Sequence, residues 1–177
     1  RLNMRDEFAR MFGMRVKEIL SLGANRERIG DLAYTEYKKS FGCSQSILFA
    51  FQEVLGLKDD FGFKALGALQ GGGGCGLTCG ALMTGFIILG TKVGRNNLEE
   101  GFFGTIPALE PSQKLFQWFK AQYKTTVCSE ITGVDWFELN GVVAHYTGPE
   151  GMDTIEKCAE LTGGTAYKIA EMLSKIE

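Results

Sequence analysis

Apolar residues recur three or four positions apart along most of the chain, with polar or charged residues between them. This spacing places the apolar side chains on one face of a helix, so it predicts amphipathic α-helices. Strand-like alternation is nearly absent, and no turn dipeptide joins two alternating runs. We therefore predict an all-α, single-domain bundle of about six or seven helices. The predicted helices cover residues 5–22, 25–39, 43–56, 77–93 and 153–176. A further helix begins at Pro107 or Pro111 and ends near residue 123, and residues 61–69 form a short helix or a turn.

Two further segments have a less regular pattern. Residues 125–133 contain cap-type residues and a cysteine before Gly133, which predicts a short helix that ends at this glycine. Residues 134–146 fit either a short helix or an irregular segment. His145 in this segment is expected to be a surface or core residue rather than a ligand.

The bundle is predicted to surround a buried, Gly/Cys-rich central helix within the stretch QGGGGCGLTCGALMTGFIILG, residues 70–90. Its consecutive glycines, Gly71 to Gly74, allow positive φ and suit a position where the backbone passes close to another group. Cys79 falls in the first turn of the predicted helix, where free N–H groups and the helix dipole stabilise a thiolate. The structural alternative is a turn followed by a helix in which this cysteine is a small apolar filler.

Composition and charge exclude several classes of function. The 177 residues are 45% hydrophobic and 23% charged, which is typical of one globular domain. The net charge is -2 and no basic block occurs, so we expect neither nucleic acid nor an anionic membrane as a partner. The uncharged stretch 65–91 is interrupted by the glycine run, so no membrane span is predicted. The absence of a secretory signal pattern predicts a cytoplasmic protein.

The cysteines carry the candidate chemistry. Cys43, Cys79 and Cys128 lie at predicted helix N-termini, and Cys158 lies on the apolar face of the last helix. A thiolate cluster needs such positions, because N–H donors, dipoles or a metal must offset the charge on each sulfur. The chain has a single histidine, so a metal site would rest mainly on sulfur and would favour iron–sulfur or zinc. No C-x-x-C-H motif occurs, so no covalent haem is expected.

Several of these motifs resemble the C_GCAxxG_C_C family, which is assigned a redox role. The resemblance rests on Gly42-Cys43-Ser44-Gln45-Ser46, on the glycine run into Cys79-Gly80-Ala81, on Cys128-Ser129-Glu130-Ile131-Thr132-Gly133, and on Cys158 in a terminal helix. A similar domain in split-Soret cytochromes has cysteines that hold an iron–sulfur centre; their haem part has no counterpart here. The resemblance implies a C_GCAxxG_C_C-type domain over residues 41–177, with 1–40 as an N-terminal helical extension packed on it.

The resemblance also implies which residues form the site. It carries over to Cys43, Cys79, Cys128 and Cys158 as metal ligands. Thr84 departs from the family motif, which has a glycine at that position, and Cys75 lies outside the four motif cysteines.

Three hypotheses follow for the function. In the first, the four motif cysteines bind an iron–sulfur cluster or another thiolate-bound metal and transfer electrons to an unknown redox partner. In the second, the chemistry is metal-free thiol–disulfide exchange, with Cys79 as the nucleophile and Cys75 or another cysteine resolving it. In the third, the chain is a structural or small-ligand-binding module with packing cysteines. We also expect Gly73, Gly74 and Gly80 to contact a cofactor, and we expect a homodimer.

Overall fold

In a computed structural model of the protein, residues 15–176 are described, apart from the side chain of Glu150. Nine α-helices make up most of this range, and the all-α prediction is confirmed. They are α1 (described over residues 15–21), α2 (Gly23–Ser40), α3 (Cys43–Leu55), α4 (Asp60–Leu66), α5 (Gly80–Val93), α6 (Ile106–Tyr123), α7 (Cys128–Thr132), α8 (Leu139–Thr147) and α9 (Met152–Lys175). The predicted first helix began at residue 5, and its first ten residues lie outside the described range.

The helices outnumber the six or seven predicted because the irregular-looking segments contain short helices of their own. Residues 134–146, for which the sequence left two alternatives, contain α8. The central helix begins at Gly80 rather than at residue 77. Residues 77–79 are extended instead, and Thr78 forms an isolated antiparallel bridge with Val127. No longer strand pairing occurs between residues 15 and 176.

Helix α5 is buried in the middle of the bundle, as predicted, and packs against α3, α6 and α9. Seven of its fourteen residues are buried, and small and large side chains both occur among them. Gly85 shows how tight this packing is: a Cβ atom there would lie 2.4 Å from Leu115 Cδ2 of α6. Ile169 of α9 approaches the same glycine. The close contact fixes α5 between its two neighbours.

Helix α2 packs along α9 through a pair of facing glycines. A Cβ atom on Gly163 would lie 2.9 Å from the carbonyl oxygen of Gly30 and 3.0 Å from Tyr34 Cβ. The two backbones therefore approach more closely than any larger residue at position 163 would allow. This approach positions Tyr37, near the end of α2, in a buried cluster with Cys43 and Cys158.

Between residues 15 and 176, the structure contains no helix suited to spanning a bilayer. Among the described residues, none of the helices combines the necessary length with the necessary apolar character. This agrees with the prediction of no membrane span.

Candidate functional site

The four motif cysteines line one cavity in the bundle. Cys43 is the first residue of α3, Cys79 is the N-cap of α5, Cys128 is the first residue of α7, and Cys158 lies within α9. Cys79 and Cys128 are buried, whereas Cys43 and Cys158 are partly buried. The open space among them is about 20 Å³, which is room for about one water molecule. Residues 30 to 115 positions apart in the chain therefore share a single cavity.

Two extended segments hold Cys79 and Cys128 beside each other. The backbone N–H of Cys79 donates to the carbonyl of Thr126 at 2.8 Å, and the N–H of Cys128 donates to the carbonyl of Leu77 at 2.6 Å. The Ser129 hydroxyl adds a 3.0 Å hydrogen bond to the Gly76 carbonyl. These bonds tie the start of α7 to the start of α5, so the two thiols reach the cavity from adjoining helix ends.

Gly80 allows Cys43 to reach Cys79. A Cβ atom at Gly80 would lie 2.9 Å from Cys43 Sγ and 2.6 Å from the Leu69 carbonyl oxygen. The Cys43 sulfur thus rests against the bare backbone at the start of α5. Of the three glycines expected to contact a cofactor, Gly80 lies against this sulfur.

The pKa values of the neighbouring Cys43 and Cys79 thiols are shifted in opposite directions. A hydrogen bond from Cys43 lowers the pKa of Cys79, against the opposing effect of burial, and the N–H groups of Ala81 and Leu82 lower it further. These N–H groups act as dipoles at the helix N-terminus, since Cys79 makes no short cap hydrogen bond. The same contact with Cys79, together with burial, raises the pKa of Cys43 well above its ordinary value. Cys79 is therefore the more acidic thiol of the pair, and Cys43 favours its protonated form.

The other two thiols favour the protonated form. Burial raises the pKa of Cys128 to about 12, and the charge of Cys79 adds to this effect. Burial also raises the pKa of Cys158 to about 11, with a hydrogen bond from Tyr37 acting in the opposite direction. A dry pocket with few cations cannot stabilise several thiolates at once. Without a bound cation, the cavity therefore favours ionisation of Cys79 over ionisation of the other three cysteines.

Aromatic side chains close the cavity, and sequence reasoning missed their role. Tyr37, Phe41, Trp136 and Tyr146 all line it. The Tyr146 ring lies 5.1 Å from the Phe41 ring and 6.2 Å from the Trp136 ring, measured between centroids. Tyr37 could be predicted to face inward from its helical spacing. Trp136 and Tyr146 come from the segment without a regular pattern, so nothing in the sequence linked them to the cysteines.

Gly71, the first residue of the glycine run, packs against Trp136. A Cβ atom on Gly71 would lie 2.4 Å from Trp136 Cε3 and Cζ3, so the indole lies directly on the glycine backbone. Gly71 also has φ +66°, which disfavours any larger residue. The prediction that the backbone passes close to another group here is confirmed. The partner of this close approach is an aromatic ring that covers the cysteines.

Phe41 marks the edge of the site with an unusual backbone conformation. Its φ is +58°, a left-handed value that is rare for a bulky residue. The Gln70 side-chain amide donates to the Phe41 carbonyl at 2.9 Å and holds the turn. Such conformations concentrate at functional sites because the surrounding structure must compensate for their cost. Here the turn joins α2 to α3 directly before Cys43.

Two polar groups on the cavity wall have no hydrogen-bond partner within the described residues. They are Thr162 Oγ1, on a fully buried side chain of α9, and Trp136 Nε1. An unpartnered buried polar group costs about 1–3 kcal/mol, so natural proteins seldom retain one without a use. Both groups can donate a hydrogen bond to an occupant of the cavity.

The remaining predicted site residues lie elsewhere. Cys75 is exposed and does not line the cavity, and Gly73 and Gly74 are exposed beside it with open space around them. Over residues 15–176 no disulfide links the cysteines. In the same range, no three His, Cys, Asp or Glu side chains are placed as one metal ion would require. Metal binding at the four cysteines would thus need small movements of the sulfurs.

The family follows from a sequence match that includes all four cavity cysteines. Residues 41–172 match the sequence profile of a family described as "Putative redox-active protein (C_GCAxxG_C_C)". The chain belongs to the C_GCAxxG_C_C family. This membership confirms the resemblance and gives the chain a coarse redox assignment. No match was found among curated proteins or among solved structures. The match starts after Tyr37, so the C_GCAxxG_C_C region acquires one wall of its cavity from residues that precede it.

Proposed function

We propose that this C_GCAxxG_C_C protein binds an iron–sulfur cluster through Cys43, Cys79, Cys128 and Cys158 and transfers electrons to a partner protein. The observation that carries the proposal is the convergence of four cysteines, from four helices, on one enclosed cavity. Random placement of small apolar fillers would not bring them together. When bound, such a cluster supplies a centre that gains and loses one electron at a time.

The donor set fits this group chemically. Four sulfur atoms, with no carboxylate or imidazole among the cavity residues, suit iron–sulfur clusters or zinc rather than hard cations. The unpartnered Thr162 hydroxyl and Trp136 indole N–H can donate to sulfur, as donors around such clusters do. The open space of about 20 Å³ is smaller than a cluster. Holding a cluster would require the cavity to widen.

The protein's own residues have two tasks in this proposal. The N–H groups of Ala81 and Leu82, at the start of α5, act on the Cys79 sulfur and offset its negative charge. The aromatic side chains, with Trp136 and Tyr146 at their outer end, keep bulk water away from the sulfurs. Because three of the thiols are protonated in the free protein, metal binding would release protons and weaken at low pH.

A second candidate function is metal-free dithiol chemistry at Cys43 and Cys79, which their direct contact and opposite pKa shifts favour. In this reaction the Cys79 thiolate attacks a disulfide of a partner protein and releases one partner thiolate. The Cys43 sulfur, after losing its proton, attacks Cys79, closes the intramolecular disulfide and releases the second partner thiol. Two electrons pass from the protein to the partner.

Metal and sulfide content distinguish the two candidates. In protein purified without oxygen, we expect stoichiometric iron and acid-labile sulfide with visible charge-transfer absorption. Replacing Cys128 by serine should remove most of both, because Cys128 is a ligand only in the first candidate. The matched control Cys75→Ser should retain them, because Cys75 lies outside the cavity. Protein that stays free of metal after reconstitution, yet forms a Cys43–Cys79 disulfide in a glutathione buffer, would contradict the cluster and support the dithiol.

A further inference from the structure

The charge of the chain is distributed unevenly around the cavity. Residues 125–156 contain six Asp and Glu residues, whereas all 19 Lys and Arg residues lie outside this range. The same segment supplies Cys128, Trp136 and Tyr146 to the cavity wall. The part of the chain that covers the cysteines is therefore the most acidic part of the protein.

These carboxylates remain largely free to interact with another molecule. Within the described residues, only Glu156 of the group forms an ion pair, with Lys38. The next cation along the chain, Lys157, is engaged with the backbone carbonyl of Ile131 at 3.2 Å. Burial lowers the pKa of His145, so the imidazole is neutral near pH 7 and offsets none of the negative charge.

Helix α8 and the turn before it also expose apolar side chains. None of the residues of α8 is buried, although Leu139 and Val143 are large apolar residues. Leu139 is 72% exposed and Val143 is 52% exposed, and Phe137 just before the helix is 77% exposed. Burial of the α8 side chains therefore contributes little to the stability of the protein. Its apolar side chains are suited to contact with a partner.

This surface lies directly outside the cavity. Phe137 follows Trp136, whose ring covers the cysteines, and Tyr146 of α8, three residues after Val143, lines the cavity. A groove of about 370 Å³ runs beside α8 and is lined by Asp135, Glu138 and His145, among others. Asp135 and Glu138 thus place two carboxylates on the lining of this groove, where they can attract a lysine side chain.

We propose that the α8 surface, formed by Asp135, Phe137, Glu138, Leu139 and Val143, is the docking site of a redox partner protein with a lysine-rich, partly apolar face. This inference rests on the proposed redox function and identifies the partner by its charge. The acidic residues steer a basic protein to the aromatic side chains that separate the cysteines from solvent.

Docking can be measured with a basic redox protein as the probe. Mitochondrial cytochrome c, which has a lysine-rich face, is titrated into the full chain by calorimetry at low ionic strength. The test variant is Asp135→Asn with Glu138→Gln, which keeps side-chain shape and the 3.0 Å hydrogen bond that position 135 accepts from the Phe137 N–H. The control variant is Glu53→Gln with Glu99→Gln, two exposed residues elsewhere that change the net charge equally.

We expect the wild-type chain and the control variant to bind cytochrome c with affinities within about twofold, and the test variant to bind about tenfold more weakly. Added salt should reduce the difference. Equal weakening in both variants, or no binding of the wild-type chain, would overturn the proposed surface. Calorimetry does not depend on electron transfer, so binding without any metal or reducible centre would contradict the proposed function and leave the surface intact.

Discussion

Replacing Gly71 by alanine is expected to destabilise the protein by about 3 kcal/mol. A left-handed φ costs an alanine about 1–2 kcal/mol, and overpacking a well-filled core adds about 1–3 kcal/mol. Both costs apply here, because Gly71 has φ +66° and its added Cβ would meet the Trp136 ring at 2.4 Å. The displaced indole would also open the cysteine cavity to water. Chemical denaturation followed by circular dichroism measures the loss of stability.

Gly73→Ala is the matched control for this substitution. Gly73 has an almost equal φ of +73° in the same turn, but nothing lies within 4 Å of its Cβ position. It should therefore lose only about 1 kcal/mol, which is the conformational cost alone. Indole fluorescence should change in Gly71→Ala and stay constant in Gly73→Ala. Equal losses of stability in the two variants would show that Trp136 does not rest on the glycine run.

Gly80→Ala is expected to separate Cys43 from Cys79. The added methyl group would lie 2.9 Å from Cys43 Sγ and 2.6 Å from a backbone oxygen, so the sulfur must move or α5 must shift. Alanine is the better helix former by about 1 kcal/mol, but overpacking outweighs this gain and leaves a net loss of about 1–2 kcal/mol. We expect iron and sulfide content to fall by at least about tenfold, since displaced surroundings of a ligand typically reduce metal affinity by this amount.

The control for Gly80→Ala comes from the same helix. A Cβ atom on Gly90 of α5 would have nothing within 4 Å. Gly90→Ala should therefore stabilise the protein by about 0.5–1 kcal/mol, and metal content should not change. The glycine-to-alanine substitution is thus expected to lower the stability of the protein at position 80 and to raise it at position 90. A Gly80→Ala variant with unchanged stability and metal content would contradict the close packing of Cys43 on α5.

Helical periodicity was sufficient to predict the fold class and most of the bundle. The long helices with a single apolar face, such as α9, agree with the predicted ranges within a few residues. The start of α5 was placed three residues too early, because hydrogen bonds to the distant residues 126 and 128 keep residues 77–79 extended. Such long-range pairing leaves no local trace in the sequence.

The sequence predicted the cysteines of the site better than their surroundings. Cysteine is rare and chemically specific, so Cys43 and Cys128 could be assigned to helix N-termini from their neighbours alone. The aromatic residues had no such signal: Trp136 is defined by its contact with Gly71, 65 positions away. Cys75 was grouped with Cys79 by spacing, but the left-handed turn between residues 71 and 76 directs it to the surface. Its role as a resolving cysteine stays a prediction.

An equilibrium redox titration of six proteins tests most directly whether the four cysteines act as one centre. These are the wild-type chain and the single serine variants at positions 43, 75, 79, 128 and 158, each purified without oxygen and followed by visible absorption. We expect one redox transition in the wild-type chain that Cys75→Ser leaves unchanged and that each of the other four variants abolishes or shifts. A transition that persists unaltered in any one of those four variants, or that disappears in Cys75→Ser, would contradict a single centre built on Cys43, Cys79, Cys128 and Cys158.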